Sequence, residues 1–347
     1  MARNSILLIA DPLLPIPPPL YGGIERIIHF LSEGLRERGW NVTLFCHPDS
    51  ECKVNKVAYP APGIERKSRL RNLKTLGRHL LQHRYDVIHS FAHFDMMAPL
   101  WPLKQTVVQS FQAFPDWKAF TKRTRFIPKR NFHITTCGFH MVDRFSPIAP
   151  TRAIHNGVII DQFDLAPEVM RDAPLVFLGR IEPIKGTHLA IQIANATGRE
   201  LIIAGNRSTD AKLDQYFIDE IEPHLNERIR FIGPVNDIQK NQLLGSAAAF
   251  LMPIEWDEPF GIVMAEALAC GTPVIGTSRG ALPEIVEHGV TGACCANIAE
   301  MIEAVRNVAK FSRSTCRLAA ETRFSSDVII DQYVKLYEEI STAKLKA

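Results

Sequence analysis

Short apolar runs alternate with amphipathic helical stretches along this chain, and the alternation starts twice. Residues 6–10 read as a buried strand. The loop Pro15-Ile-Pro-Pro-Pro-Leu-Tyr-Gly-Gly23 follows, then a helix with Ile24, Ile27, Ile28, Leu31 and Leu35 at helical spacing. Gly39 ends that helix, and 42–46, 87–89 and 106–110 read as further strands. Near residue 174 the pattern begins again: strand 175–178, helix 187–196, then strands 201–204, 230–232, 248–252 and 273–276. Strands separated by helices predict a parallel sheet with helices on both faces. Two such series predict two Rossmann-like domains meeting around 160–172. The expected division is 1–160, 161–325 and a final segment 326–347. Its helix spans about 328–342, with Val328, Tyr333, Leu336 and Tyr337 as the packing set.

Composition excludes several classes. The chain has 347 residues, 46% hydrophobic and 22% charged, which is globular rather than disordered. No apolar run approaches the roughly 20 residues needed to span a bilayer. The first apolar stretch is five residues long and is followed by Asp11 and a proline run, unlike a signal peptide. The cysteines 46, 52, 137, 270, 294, 295 and 316 form no Cys-x-x-Cys pair, so neither a disulfide framework nor a zinc site is expected. Reduced thiols and a cytoplasmic location are the expectation. Charge is uneven: residues 1–160 hold 22 Lys and Arg against 11 Asp and Glu, while 161–347 hold 18 against 26. A basic half facing an anionic partner is one reading of that asymmetry.

Three segments carry chemistry. Gly22-Gly23 stands between a strand and a helix, where the backbone can approach a ligand and helix amides can meet an anion. A plain structural turn would look the same. The segment lacks the Gly-x-Gly-x-x-Gly pattern of nicotinamide enzymes. Arg180 and Lys185 flank a loop just past a strand's carboxyl end, where open α/β sheets bind ligands. Arg forks onto phosphate oxygens and Lys adds a mobile charge, although each taken singly also fits an ordinary surface cation. In Glu258-Pro-Phe-Gly-Ile-Val-Met-Ala-Glu266, a loop shaped by Pro259 and Gly261 opens a helix over about 262–270 that Gly271 and Pro273 terminate. The amides of 261–263 then point outward at the positive end of a helix dipole. Glu266 lies among Val263, Met264, Ala267 and Leu268, where a buried carboxylate without a task is costly.

The spacing of Glu258 and Glu266 resembles the Glu-x7-Glu motif of the retaining glycosyltransferases of family 4. The run 258–274, Ser278-Arg-Gly-Ala-Leu-Pro-Glu284, Gly179-Arg180, Lys185-Gly186, Gly233-Pro-Val235, His155-Asn-Gly-Val158 and Tyr21-Gly-Gly-Ile-Glu25 resemble that family too. The likeness is densest over 174–292. It implies a GT-B fold: two Rossmann-like domains facing each other across a cleft, with a C-terminal helix crossing back. It further implies that Arg180 and Lys185 hold a donor diphosphate, with Gly22 and Gly23 closing over it. Glu266 would take ribose hydroxyls and Glu258 the transferred sugar's hydroxyls. Amides at Phe260, Gly261 and Ile262 would contact sugar and phosphate, and Val235 would lie near the base. Relatives often carry His-x-His after the strand equivalent to 86–89. Here the run is His89-Ser-Phe-Ala-His93, and Gln112-Ala113 replaces a later His-Gly. His89 and His93 are the candidates for the acceptor side, with His93 equally readable as a loop residue.

The expected activity is therefore retaining transfer of a sugar from a nucleoside-diphosphate sugar to a hydroxyl acceptor, whether glycan, lipid-linked or small molecule. A nucleotide-sugar-binding protein without transfer, or a phosphorylase or epimerase of the same fold, are the alternatives. No Asp-x-Asp occurs in the chain, so no metal and no further cofactor are expected. Arg66-Lys-Ser-Arg-Leu-Arg-Asn-Leu-Lys74, continuing to Arg78, reads as a helix with Leu70, Leu73, Leu76, Leu80 and Leu81 on one face. Lys122-Arg-Thr-Arg125, Phe126, Ile127, Lys129 and Arg130 form a second basic patch. These are either solvated faces or a surface for peripheral contact with anionic lipid. No motif accompanies the charge to suggest nucleic acid.

Overall fold

The computed structural model describes residues 4–19, 22–63, 65–100, 105–125 and 131–345. Its strands are β1 Ser5–Ile9, β2 Asn41–Cys46, β3 Asn55–Ala58, β4 Val87–Ser90, β5 Thr106–Phe111, β6 Phe132–Thr136, β7 Thr151–Ala153, β8 Leu175–Leu178, β9 Leu201–Ala204, β10 Ile229–Phe231, β11 Ala249–Met252, β12 Val274–Thr277 and β13 Gly292–Cys295. Its helices are α1 Gly23–Glu37, α2 Arg66–Gln82, α3 Trp117–Thr124, α4 Val142–Phe145, α5 Thr187–Thr197, α6 Ala211–Glu220, α7 Asp237–Ser246, α8 Ile262–Ala269, α9 Leu282–Ile285, α10 Ile298–Arg306, α11 Arg313–Phe324 and α12 Ser326–Leu345.

The chain divides into two compact units, Met1–Asn156 with Ser326–Ala347, and Gly157–Ser325. The first holds a seven-stranded sheet ordered β3-β2-β1-β4-β5-β6-β7, the second a six-stranded sheet ordered β10-β9-β8-β11-β12-β13. Every strand pair is parallel. Helices cover the inner strands on both faces, so these read as continuous apolar runs: Ile6, Leu7, Leu8 and Ile9 of β1 are all fully buried.

In each sheet the chain starts at an inner strand, winds outward one way, then returns to build the other half. The order reverses between β1 and β4 in the first unit and between β8 and β11 in the second. A crevice opens at such a point, beyond the carboxyl ends of the two strands, because their following loops diverge to opposite faces. Gly22 and Gly23 follow β1, and His93 follows β4. Arg180 and Lys185 follow β8, and Glu258 follows β11.

The last helix belongs to the first unit. Ile329, Ile330, Tyr333, Leu336 and Tyr337 of α12 are buried, and Val328 is only half-buried. A Cβ on Gly34 of α1 would fall 2.3 Å from Ile330 Cδ1, so a side-chain-free position lets α1 and α12 approach. Arg38 ties them at the end of α1, donating to Asp331 at 2.7 Å and Asp327 at 3.1 Å.

The basic helix α2 forms, but its buried face differs from the expected one. Asn72, Leu76 and Leu80 point inward, and Asn72 Nδ2 donates to the Ala61 carbonyl at 2.8 Å. Leu70 and Leu81 are 58% and 84% exposed. A polar side chain with a backbone partner thus takes an inward position that a leucine count assigns elsewhere. Phe126, Ile127, Lys129 and Arg130 of the second patch lie outside the described residues, as does Tyr21.

Candidate functional site

In the second unit the two glutamates are buried and ion-paired. Glu258 is 7% exposed, and its Oε2 accepts from Lys185 Nζ at 2.5 Å and from Trp256 Nε1 at 2.8 Å. Glu266 is also 7% exposed, and its Oε1 accepts from Lys240 Nζ at 2.5 Å. Among the described residues no group donates to Glu258 Oε1 or Glu266 Oε2. Each carboxylate therefore has one oxygen fixed by a lysine and one open to a hydroxyl. A carboxylate oxygen in a confined site favours a hydroxyl donor over an apolar contact.

The local chain explains how these groups meet. Gly186 has φ +73, and a Cβ there would lie 1.9 Å from the Pro253 carbonyl oxygen. Only glycine lets the loop after β8 press against the end of β11, which delivers Lys185 to Glu258. Gly280, with φ +54, likewise abuts the Glu258 backbone, and the Ala281 amide donates to the Glu258 carbonyl at 2.9 Å. The loop bearing Glu258 is thereby clamped from both neighbouring strand ends. Gly261, φ +74, caps the start of α8, whose first amides have no intrahelical acceptor. Glu266 sits one turn on, facing α7, which supplies Lys240.

Other site candidates fall less centrally. Arg180 is exposed and donates to Glu182 at 2.6 Å rather than joining Lys185. Val235 and Ile262 are half-buried, and the Phe260 side chain is turned into the core near Phe324, leaving only its backbone for a ligand. Lys240 and Trp256 were not among the sequence candidates. Each reaches its glutamate only through the fold or through a loop turn.

In the first unit Gly22 caps α1, and a Cβ there would fall 2.7 Å from Pro18 Cβ. Glu25, in the first turn of α1, and Asp11, just past β1, approach this segment. Burial raises both carboxyl pKa values, and the Asp11 charge raises that of Glu25 further. Asp11 Oδ2 accepts the His93 backbone N–H at 3.3 Å. The His93 side chain itself is largely exposed, with Nδ1 3.8 Å from Asp95 Oδ2.

His89 is placed differently from its candidacy. It is fully buried, Nδ1 lies 2.6 Å from the Tyr337 hydroxyl, and Nε2 lies 2.8 Å from Ser110 Oγ. Ser110 Oγ in turn lies 2.5 Å from Thr135 Oγ1. Desolvation lowers the imidazole pKa to about 3, so it is neutral. With both nitrogens engaged inside the core, His89 joins β4 to α12 instead of lying at an exposed strand end as its candidacy expected. Phe91 packs on it at 4.2 Å between ring centroids. Gln112 Oε1 accepts from Asn156 Nδ2 at 2.8 Å.

Among the described residues no three His, Cys, Asp or Glu side chains gather as a metal site, and no helix is long and apolar enough to cross a membrane.

Comparison with known proteins adds independent findings. The family model described as glycosyl transferases group 1 matches residues 163–323, and that of glycosyltransferase family 4 matches 21–162. A phosphatidyl-myo-inositol mannosyltransferase of Mycobacterium leprae is 30% identical, with 94% of this chain and 95% of that protein covered. A glycogen synthase of Mycobacterium tuberculosis (strain ATCC 25618 / H37Rv) is 33% identical over 56% of this chain, a match that spans only half of that enzyme's length. Among solved structures, sucrose-phosphate synthase from Thermosynechococcus elongatus superposes with a TM-score of 0.79 at 20% identity, covering 98% of this chain and 100% of that one. AviGT4, a glycosyltransferase of avilamycin A biosynthesis, superposes with 0.73 at 24% identity, covering 98% of both. These superpositions establish the GT-B fold.

Proposed function

Because the chain belongs to glycosyltransferase family 4, we propose that it transfers a sugar from a nucleoside-diphosphate sugar to a hydroxyl acceptor with retention at the anomeric carbon. The observation that carries this reading is the pair of lysine-held glutamates beside the β8–β11 switch point. Two cations, the α8 amides and two carboxylates with one open oxygen each match the groups of such a donor. Lys185, Arg180 and the α8 N-terminus face the diphosphate, Glu266 the ribose and Glu258 the sugar. Val235 lies toward the base.

In the transfer the bond from the anomeric carbon to the departing phosphate oxygen breaks while a bond to the acceptor oxygen forms on the same face. The acceptor's proton passes to the departing phosphate oxygen. Charge develops on that phosphate, and fixed cations with a helix dipole stabilise it. The chain offers no Asp-x-Asp, so the proposed route uses no metal. Donor hydrolysis, measured on wild type and Glu258→Ala across uridine, guanosine and adenosine diphosphate sugars, tests the site. Hydrolysis indifferent to the substitution would remove Glu258 from it. Loss of activity in chelator, or an inverted product by NMR, would refute the mechanism.

One observation favours a second reading, nucleotide-sugar binding without transfer. The position where relatives carry the second histidine is Phe91, and it is buried. Binding without turnover in the same assay would select it.

For a partner we propose a surface of anionic lipid. On α2, Lys67, Leu70, Arg71, Lys74, Arg78 and Leu81 are all exposed. Leu70 and Leu81 lie three turns apart on one helix face, interleaved with cations. Apolar anchors among positive charges fit an acidic membrane surface.

A further inference from the structure

Trp256 has no place in the donor-binding reading, yet it touches both members of the central ion pair. Its Nε1–H donates to Glu258 Oε2 at 2.8 Å. Its ring carries Lys185 Nζ at 4.9 Å from the centroid, and that same Nζ donates to Glu258 Oε2 at 2.5 Å. The three side chains close a triangle. Both donors converge on one oxygen, so Oε1 is left for a ligand.

The triangle must respond when a diphosphate arrives. Lysine is a compact charge on a flexible stem, free to change partners. A diphosphate offers Lys185 a more strongly anionic partner than one carboxylate. If the lysine moves, Glu258 stays behind, buried and without its counter-charge, which is a costly state. A carboxylate in that state rotates or takes up a proton unless another donor holds it. The indole N–H is that donor, and it does not compete for phosphate because it is fixed to the carboxylate's own loop. Glu266 differs: among the described residues Lys240 is the only donor to its carboxylate. The glutamate assigned to the sugar is thus the one given two donors.

We propose that Trp256 is a positioning residue that keeps the Glu258 carboxylate aimed at the transferred sugar while Lys185 transfers its charge to the donor diphosphate. The inference rests on the donor-site reading above. It predicts that the indole N–H matters to the sugar and not to the diphosphate.

Trp256→Phe keeps a ring face for Lys185 and removes the N–H. Calorimetric titration would use UDP with UDP-glucose, GDP with GDP-mannose and ADP with ADP-glucose, on wild type and variant. The expected result is diphosphate affinity within about twofold of wild type. The extra affinity given by the sugar, and the rate of donor hydrolysis, should each fall about tenfold or more, the worth of one hydrogen bond to a charged group. Retained diphosphate affinity also reports that the site is folded. Equal losses for diphosphate and nucleotide sugar would show that Trp256 only shapes the loop and would overturn the proposal. No change in either would overturn it as well. Wild type that binds none of the six ligands would instead refute the donor-site reading on which it rests.

Discussion

Removing either charge of the Lys240–Glu266 pair should cost more than removing both. The two side chains are 14% and 10% exposed, and Nζ lies 2.5 Å from Oε1. At an effective dielectric near 20 the gross attraction at that distance is about 6–7 kcal/mol. Desolvating two ions costs several kcal/mol each, so the net worth of the intact pair is small. Lys240→Met leaves a buried carboxylate without a counter-charge, which costs about 3–5 kcal/mol in a closed site. Glu266 Oε2 meets no donor among the described residues, so about 2 kcal/mol is the better expectation here. For a unit the size of Gly157–Ser325 that lowers the unfolding midpoint by about 4–8 °C. Glu266→Gln should cost less than Lys240→Met, because Lys240 Nζ keeps Asp237 Oδ1 at 3.3 Å as a partner while losing its buried one. The double variant removes both charges and should recover at least half of the Lys240→Met loss, a coupling of about 2–3 kcal/mol. Calorimetric melts of the four proteins without ligand measure this. Nucleotide binding to the same four proteins should be weakened in all three variants, because the Glu266 carboxylate is lost or freed to rotate. A double variant as unstable as the sum of the singles would show that the pair is not coupled and would refute the reasoning.

His89 makes stability depend on pH with a definite sign. Its folded pKa of about 3 lies below the ordinary 6.5, so between those values the unfolded chain binds the extra proton and stability falls as pH falls. The loss is about 2 kcal/mol at pH 5 relative to pH 7. His89→Gln lacks it, so the stability gap between wild type and variant in urea should narrow by that amount at pH 5; an equal gap at both pH values counts against the account. Gly186→Ala would place a Cβ 1.9 Å from the Pro253 oxygen and so must displace the Lys185 loop by about 1 Å, a shift worth on the order of a hundredfold in rate. Donor hydrolysis within threefold of wild type would contradict it. Leu81→Glu with Arg78→Glu should abolish sedimentation with phosphatidylserine vesicles; binding by wild type that ignores salt and anionic lipid content would defeat the lipid proposal.

What the sequence made legible was whatever a few consecutive residues determine. β8 and β9 carry Leu-Val-Phe-Leu and Leu-Ile-Ile-Ala, apolar runs that must be buried on both faces, and their ends were readable to the residue. The α8 boundary was readable because Gly261 and Gly271 bracket it. By contrast β13 is Gly-Ala-Cys-Cys, with no branched residue, and becomes a strand by pairing with β12. β7 and β3 are short strands at the far ends of their half-sheets and depend on a neighbour in the same way. Lys240 was invisible for a related reason. Its partner lies 26 residues away on another helix, and nothing in Asn-Asp-Ile-Gln-Lys240 distinguishes it from a solvated helix cation. The Asn72 hydrogen bond that turns α2 likewise depends on a carbonyl from the preceding loop.

The departure from the family pattern at Phe91 also has a physical reading once strand geometry is taken into account. Side chains alternate along a strand, so His89 and Phe91 leave the sheet on the same face. That face is covered by α12: His89 meets the Tyr337 hydroxyl, and Phe91 lies 6.4 Å from the Tyr333 ring. Phe91 is therefore part of the apolar cover over a buried, neutral imidazole, and a second imidazole there would need its own partner for each nitrogen. The phenyl ring avoids that cost and strengthens the attachment of α12 to the first unit. His93, two residues further and past the strand end, is released from the cover and exposed, with its backbone fixed by Asp11. The accessible imidazole of this segment is therefore His93, on the loop. A His93→Ala variant with normal donor hydrolysis and reduced transfer would locate the acceptor beside that loop, whereas unchanged transfer would show that the loop imidazole takes no part in it.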